Sequence, residues 1–353
     1  MTGDHHCRSA SPGEPEVPPG HGAQRPTPII GRHMADLGEF ELIERFFTRP
    51  ARRATLGVGD DCALLQPTPG TTLAVSTDML IEGRHFLSTV PSDRLAHKAL
   101  AVNLSDLAAC GARPLAFTLA LALPRADEAF LAAFARGLFA LADREACELI
   151  GGDTTRGPLA VCITVFGELP AGAALLRSGA RPGDDLYVSG TLGDARLALE
   201  AFRGQVALDA ESFAQVRRAM ELPSPRTALG IRLRGVATSA IDVSDGLTGD
   251  LGHLLRQSGV GAVVDVDALP RSAVVAAQSA DLQRECVLAG GDDYELVFTA
   301  LASRRDAVAA AAANAGVTVR RVGRIDGGAG LRLVDRGGED VASQFGSFDH
   351  FRA

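Results

Sequence analysis

The sequence predicts an α/β (α+β) protein built from two domains. Apolar, strand-like segments alternate with amphipathic helical segments along most of the chain, which is the pattern of α/β and α+β folds. The length of 353 residues is enough for two domains that each bury a core. Residues 1–36 are rich in Pro, Gly and His and lack apolar periodicity, so we expect a disordered extension there. The first domain is then expected over residues 37–169 and the second over 170–353, with a linker at Pro170–Ala174.

The elements of the first domain follow from periodicity and from capping residues. Ser92 is expected to cap the longest helix and Gly111 to end it. The predicted helices are Gly38–Arg49, Ser92–Cys110 and Asp127–Asp143, and the predicted strands are Thr72–Ser76, Leu115–Leu123, Glu148–Ile150 and Ala160–Phe166.

The second domain repeats this alternation of strands and helices. Its predicted strands are Asp185–Ser189, Ala237–Ile241, Ala262–Val266 and Leu296–Thr299, and its predicted helices are Gly193–Phe202, Ser212–Glu221, Pro225–Arg234, Leu247–Ser258 and Arg304–Ala315.

Composition excludes several classes of function. Lys98 is the only lysine among 35 basic residues, and its neighbours do not form the Gly-Lys-Ser/Thr tip of a P-loop, which excludes a Walker-type NTPase. A net charge of −8 argues against nucleic-acid partners and against an anionic membrane surface, because both are bound by clustered Lys and Arg. The N-terminus lacks an apolar signal region, and the six cysteines form no C-x-x-C pair. We therefore expect a cytoplasmic protein with reduced thiols.

The aspartates are the feature of the sequence that predicts chemistry. Five groups of them lie beside glycines or at the ends of apolar segments: Asp60-Asp61, Asp78, Asp153, Asp242 with Asp245, and Asp292-Asp293. A single aspartate at such a place is ordinarily a turn former or a helix cap, and we expect that role for Asp60 and Asp184. Carboxylates that meet repel one another unless protons or hard cations neutralise them. Mg²⁺ bridges carboxylates to phosphates, and nearby glycines let backbone N–H groups approach phosphate oxygens, so the pattern predicts a multi-Mg²⁺ nucleotide site.

In a series of motifs, the chain resembles the thiamine-phosphate kinase family of the aminoimidazole-ribonucleotide-synthetase-like superfamily. The resemblance runs from about Gly38 to the C-terminus. The motifs that carry it are, in order, Gly38–Phe40, Gly57–Ala63, Ser76–Asp78, Glu82–Phe86, Lys98–Gly111, Gly151–Gly157, Arg177–Ala180, Pro182–Asp184, Asp242–Gly246, Gly290–Glu295 and Phe348–Phe351.

The resemblance implies ATP-dependent phosphorylation of thiamine phosphate to thiamine diphosphate by direct transfer, with several Mg²⁺ ions and with K⁺ as a further candidate cation. It also implies a homodimer in which the N-terminal sheets pair into a barrel while each C-terminal domain completes a cleft. Carried over by position, the metal ligands are Asp61, Ser76, Thr77, Asp78, Asp106, Asp153, Asp242 and Asp245; the ATP contacts are Gly152, Asp153, Arg177 and Ser244; and the substrate contacts are His85, Asp292 and Phe345.

Two positions depart from the family pattern. Many relatives carry glutamate where this chain has Asp292, and tryptophan near the position of Phe345. A phenyl ring can still stack on a pyrimidine, although with less area and a weaker attraction for a cation. His85 has the alternative of an ordinary loop histidine, Lys98 that of a solvated helix lysine, and Phe345 that of a core anchor. Asn103 is expected to cap or to orient Asp106.

Other functions stay open from the sequence. Another ATP-dependent synthetase of the same superfamily is the enzyme alternative, although Glu82–Phe86 and Phe348–Phe351 argue against it. A selenophosphate synthetase would need a catalytic Cys with a nearby Lys close to the N-terminus, and no such pair is present. A non-catalytic nucleotide-binding module is the alternative of a different class, and the full set of aspartates argues against it.

Overall fold

The computed structural model describes residues 38–341, which form two β-sheets with helices packed against them. The α/β fold prediction is confirmed. The first sheet has the order β1-β4-β2-β3, and the second has the order β10-β7-β9-β5-β8-β6. The strands are β1 Thr71–Ile81, β2 Arg113–Leu123, β3 Glu148–Arg156, β4 Ala160–Pro170, β5 Asp184–Ser189, β6 Ser239–Asp242, β7 Gly261–Asp265, β8 Leu296–Leu301, β9 Val319–Asp326 and β10 Gly330–Val334.

Ten helices accompany these strands in the part of the chain that the structure describes. They are α1 Glu39–Phe46, α2 Ser92–Cys110, α3 Glu128–Arg144, α4 Asp194–Phe202, α5 Ala210–Glu221, α6 Thr227–Leu233, α7 Leu247–Ser258, α8 Ala273–Ala276, α9 Ala280–Ala289 and α10 Arg305–Ala315. Between residues 38 and 341, no helix is both long and apolar enough to cross a membrane.

Helix α2 is the element that joins the two halves. It packs against β1, β4 and α3 of the first half and against α6 and β6 of the second. Twelve of its nineteen residues are buried, including the polar side chains of Lys98, Asn103 and Ser105. Gly111 ends the helix in the left-handed conformation at φ 72°, as expected. Its N-cap is Pro91 rather than Ser92, which is already helical.

Strand β1 differs from the prediction in a way that matters for the site. The sequence places Ser76–Asp78 at the end of a strand, whereas the structure places them in the middle of an eleven-residue strand. All eleven residues pair antiparallel with β4, from Thr71 opposite Pro170 to Ile81 opposite Ala160. The polar Ser-Thr-Asp run interrupts the apolar pattern without ending the strand, because the β4 ladder continues past it.

Four elements that the sequence analysis did not predict complete the second half: α8, α9, β9 and β10. Strand β9 contains three arginines among small and apolar residues, so its apolar pattern is too weak to predict a strand. In the structure it pairs with both β5 and β7. The two sheets each use strands from one side of the expected boundary near residue 170. The extents of the two domains stay a prediction.

Candidate active site

A cavity of about 990 Å³ lies where the two halves meet. Its walls come from β1, the 83–90 loop and α2 of the first half, and from α4, α5 and the loops after β6 and α9 of the second. Seven of the predicted metal ligands and substrate contacts line it together with Lys98 and Tyr294: Thr77, Asp78, His85, Asp106, Asp242, Asp245 and Asp292. Ser244 also lines it, and Ser76 is tied to it through Asp106.

One end of the cavity is acidic. Asp78 comes from β1, Asp106 from α2, and Asp242 from the last position of β6, so three separate elements deliver one carboxylate each. Burial raises the pKa of Asp78 to about 6, with the charges of Asp106 and Asp245 adding to the effect. Burial, followed by the charge of Asp106, raises the pKa of Asp242 to about 7. The carboxylates therefore destabilise one another's charged forms across the cavity.

Neighbouring hydroxyl and amide groups hold these carboxylates in place. Ser76 Oγ donates to Asp106 Oδ2 at 2.5 Å, and Ser105 Oγ donates to Asp242 Oδ2 at 2.7 Å. Asn103 does not orient Asp106 as expected; its Oδ1 accepts the backbone N–H of Asp78 at 3.0 Å, while its Nδ2 donates to Ala99 O on its own helix. The side-chain oxygens are thus fixed before any ligand arrives.

The oxygen-rich donor set fits Mg²⁺, which prefers carboxylates and water. Within residues 38–341, no three His, Cys, Asp or Glu side chains come close enough together to hold a metal ion by themselves. Mg²⁺ usually keeps several waters and uses only one or two carboxylates together with substrate phosphates. The arrangement of Asp78, Asp106 and Asp242 is therefore compatible with Mg²⁺ ions that are held partly by these carboxylates and partly by a bound nucleotide.

The loop after β6 is shaped by a residue that the sequence analysis missed. Asp250, in the first turn of α7, accepts the backbone N–H groups of both Ser244 and Asp245 at 3.0 Å through the same Oδ2. Burial raises the pKa of Asp250 to about 7. Its position in the first turn of a predicted helix, a few residues after two loop residues with orphan N–H groups, was the only sequence signal for this role.

The loop between α9 and β8 carries Asp292 into the cavity. Asp292 has a φ of 70° and Tyr294 a φ of 52°, both in the left-handed region that non-glycine residues rarely adopt. The backbone N–H groups of these residues donate to Ser244 O and Val243 O, each at 2.8 Å, so the loop is tied to the loop after β6. Strained backbone that is held in this way is typical of binding sites.

Lys98 is the second residue that the sequence analysis did not place in the site. Its side chain is only 3% exposed, so the alternative of a solvated helix lysine is wrong. Its ammonium donates to the carboxylate of Asp292 and, at 3.3 Å, to the backbone oxygen of His85. His85 in turn accepts the Ile81 N–H on Nδ1 at 3.0 Å, which fixes the orientation of the imidazole at the cavity wall.

Behind this loop lies a buried ion pair that was also missed. Glu295, at the end of the Gly290–Glu295 motif, accepts Arg226 Nε at 2.6 Å and Ser189 Oγ at 2.5 Å. Both carboxylate oxygens contact the Arg226 guanidinium, in the bidentate geometry that arginine favours. The pair anchors the strained loop to the start of α6.

Several predicted residues lie away from the cavity. Asp61 is exposed in the 57–63 loop, where Asp60 Oδ1 accepts its backbone N–H at 2.8 Å, consistent with a turn role for Asp60. Asp184 similarly accepts the N–H of Arg181, as a turn residue does. Arg177 is exposed, but its charge lowers the pKa of Asp106 against the larger, raising effect of burial, which places it near the acidic end. Phe345 and the Phe348–Phe351 motif lie outside the described residues.

Gly152 and Asp153 lie in β3, at the edge of the sheet opposite β1. A Cβ on Gly152 would lie 1.8 Å from Leu119 O, so this position needs glycine. In the sheet register Asp153 is in one row with Met79, whereas Asp78 is in the adjacent row with Gly152. Because adjacent rows face opposite sides of a sheet, the side chains of Asp78 and Asp153 project from opposite faces of the first sheet. Their common role as ligands stays a prediction.

Comparisons with known proteins identify the family of the chain. The family described as AIR synthase related protein, N-terminal domain, matches residues 59–169, and its C-terminal-domain counterpart matches residues 181–336. A thiamine-monophosphate kinase from Salmonella typhimurium (strain LT2) is 48% identical over 322 residues, which cover 89% of this chain and 98% of that protein.

Solved structures give the same result. The crystal structure of thiamine-monophosphate kinase from Stenotrophomonas maltophilia K279a is 46% identical with a TM-score of 0.77, over 82% of this chain and 92% of that chain. The structure of AaThiL complexed with AMPPCP and TMP is 27% identical with a TM-score of 0.71, over 81% and 89% of the two chains. The chain belongs to the thiamine-monophosphate kinase family of AIR synthase related proteins.

Proposed function

We propose that this protein transfers the γ-phosphoryl group of ATP to thiamine phosphate and so makes thiamine diphosphate. The observation that carries the proposal is the meeting of Asp78, Asp106 and Asp242 at one end of a cavity large enough for a phosphorylated substrate. The thiamine-monophosphate kinases to which the chain is similar, and the AMPPCP and TMP bound in one of the related structures, support it.

The chemistry needs no general base. The attacking atom is a phosphate oxygen of the substrate, which is already ionised at neutral pH, and the main obstacle is repulsion between the two phosphate groups. Bound Mg²⁺ would neutralise that charge. Asp78, Asp106, Asp242 and Asp245 are the residues of the cavity that we expect to hold it, with Ser76 beside them. Thr77, whose hydroxyl lies 2.8 Å from that of Thr164 on β4, is retained as a further ligand. The contribution of the chain is positioning: Asn103, Ser105 and Asp250 fix the carboxylates and the 244–245 backbone.

The other end of the cavity suits the thiamine moiety. Leu199, Phe202 and Met220 line the cavity and offer apolar surface for its rings, and His85 and Asp292 are polar groups of the same cavity. The Asp292 carboxylate would attract the cationic thiazolium. Phe345 is retained as a further substrate contact, Asp61 and Asp153 as further metal ligands, and Gly152, Asp153, Arg177 and Ser244 as ATP contacts. K⁺ is retained as an additional cation and the cytoplasm as the place of action.

We also propose a homodimer formed through the first sheet. β1 is an edge strand, and Leu73, Val75, Met79 and Ile81 stand exposed on the face opposite α2. A row of exposed apolar side chains on an unpaired edge is a ready surface for a second copy. Asp153 lies on the same open face by register, so pairing would bring it under cover as well.

Incubation with MgCl₂, ATP and thiamine phosphate tests the activity. We expect thiamine diphosphate and ADP in equal amounts by chromatography, and no product when EDTA replaces Mg²⁺. Unphosphorylated thiamine serves as the control substrate, and Asp106→Asn as the control variant. The absence of thiamine diphosphate from a folded protein that binds Mg·ATP would refute the proposed kinase.

A further inference from the structure

We propose that Lys98 is a positioning residue that sets the affinity for thiamine phosphate by holding Asp292 and the 83–90 loop in their binding geometry. This role rests on the proposed function and goes beyond it, because it assigns to the single lysine of the chain a part in substrate selection.

The first argument is burial. An ammonium group that is 3% exposed has given up its hydration and requires charged or polar partners in return. Lys98 has two: the Asp292 carboxylate and the backbone oxygen of His85. The partners belong to different halves of the molecule, so one ammonium group bridges the wall of the cavity across the junction.

The second argument is the backbone of its partner. Asp292 adopts a φ of 70°, a conformation that costs a non-glycine residue free energy and persists only where the surroundings impose it. The Lys98 ion pair and the hydrogen bond from Asp292 N to Ser244 O are two of the contacts that do so, and the Tyr294 side chain also hydrogen-bonds the Asp292 carboxylate. Loss of the ammonium group removes one of the restraints on the carboxylate that is expected to meet the thiazolium.

The third argument is the asymmetry of exposure within the pair. The Asp292 side chain is 33% exposed toward the cavity, whereas Lys98 is closed in. The carboxylate therefore keeps surface available for a cationic substrate while the lysine lies behind it. Lys98 thus acts through Asp292 and His85 rather than by touching the reacting phosphates.

Steady-state kinetics of Lys98→Met, Asp292→Asn and the double variant test this role. Methionine keeps the length and apolar stem of lysine, and the part-exposed Asp292 can take up water, so the fold is expected to survive. We expect the KM for thiamine phosphate to rise about tenfold or more in Lys98→Met, since loss of a charged hydrogen bond costs that much affinity, while kcat and the KM for ATP change little.

The combined effect of the double variant should be smaller than the product of the two single effects, because both substitutions break the Lys98–Asp292 contact. Arg305→Met, which breaks an ion pair with Asp185 outside the cavity, is the matched control and should leave all three parameters unchanged. Additive effects of the two single variants, an unchanged KM, or a fall in kcat at constant KM would each overturn the positioning role.

Lysine labelling gives an independent readout that needs no turnover. Because Lys98 is the only lysine, peptide mass spectrometry after treatment with an amine reagent reports on one side chain. We expect slow modification in the wild type and faster modification in Asp292→Asn; equal rates would overturn the pairing. A wild-type protein that makes no thiamine diphosphate would refute the proposed kinase, while the labelling comparison would still decide the contact.

Discussion

The close contact between α2 and α6 allows the direction of a stability change to be predicted for a substitution at Gly230. Gly230 lies in α6 against the C-terminal part of α2, and a Cβ at this position would come 2.0 Å from the backbone oxygen of Ala108. Side-chain carbons do not approach closer than about 3 Å, so Gly230→Ala forces the two helices at least about 1 Å apart. The obstacle is backbone, which cannot rotate away as a flexible side chain can.

Two free-energy terms oppose each other. Alanine gains about 1 kcal/mol over glycine in a helix interior. Overpacking a closed contact costs about 1–3 kcal/mol or more. Because the obstructing atom here belongs to the main chain, we expect this cost to exceed the gain in helix propensity. We expect Gly230→Ala to lower the free energy of unfolding by up to about 2 kcal/mol, seen as a lower urea midpoint in circular dichroism.

Gly252→Ala in α7 is the matched control. The nearest atom to a Cβ there is the flexible end of Arg256 at 3.2 Å, so the helix gain should dominate and the variant should be as stable as the wild type or more so. Because α2 carries Lys98 and Asp106 and α6 follows Arg226, the first variant should also lose catalytic efficiency. Equal stability of the two variants would refute this reasoning about the interface.

Three further predictions concern single side chains. Asp106→Asn should abolish thiamine diphosphate formation. In EDTA the variant should unfold at a urea concentration at least as high as that of the wild type, because the substitution removes charge repulsion from Asp78 and Asp242. Marked destabilisation would show instead that the Asp106 carboxylate is needed for the fold. Arg226→Met should cost about 3 kcal/mol in urea denaturation by leaving Glu295 buried without its partner, and a near-neutral effect would refute that. Burial lowers the pKa of His97 below 6.5, so on acidification from pH 7.5 to 5.5 the unfolded state takes up the proton first, and wild type should lose stability relative to His97→Gln; parallel pH profiles would contradict it.

The sequence was sufficient for elements whose signals are local. Helix α7 was predicted with its observed bounds, and the end of α2 at Gly111 was predicted because a left-handed glycine marks a helix terminus. Strand β1 was predicted too short because a polar run in a strand has the same local pattern as a turn, and only the β4 ladder decides between them.

The residues of the candidate site likewise differ in whether a local sequence pattern reveals them. Asp78, Asp106 and Asp242 were recognised because their motifs are long, and the structure gathers them in one cavity. Lys98 and Glu295 were not recognised as site residues because their partners lie 194 and 69 residues away along the chain. Their roles depend on tertiary contacts between the two halves, which a single sequence does not encode in any local pattern.

The position of β1 has a consequence for how the protein behaves on dilution. The same strand carries Ser76 and Asp78 on the side of the site and, on the opposite face, the exposed apolar side chains that we expect a second copy to cover. Association and site geometry are then linked by mass action. We expect the specific activity to fall as the protein is diluted through its dimer dissociation constant, and substrate to shift that constant toward tighter association.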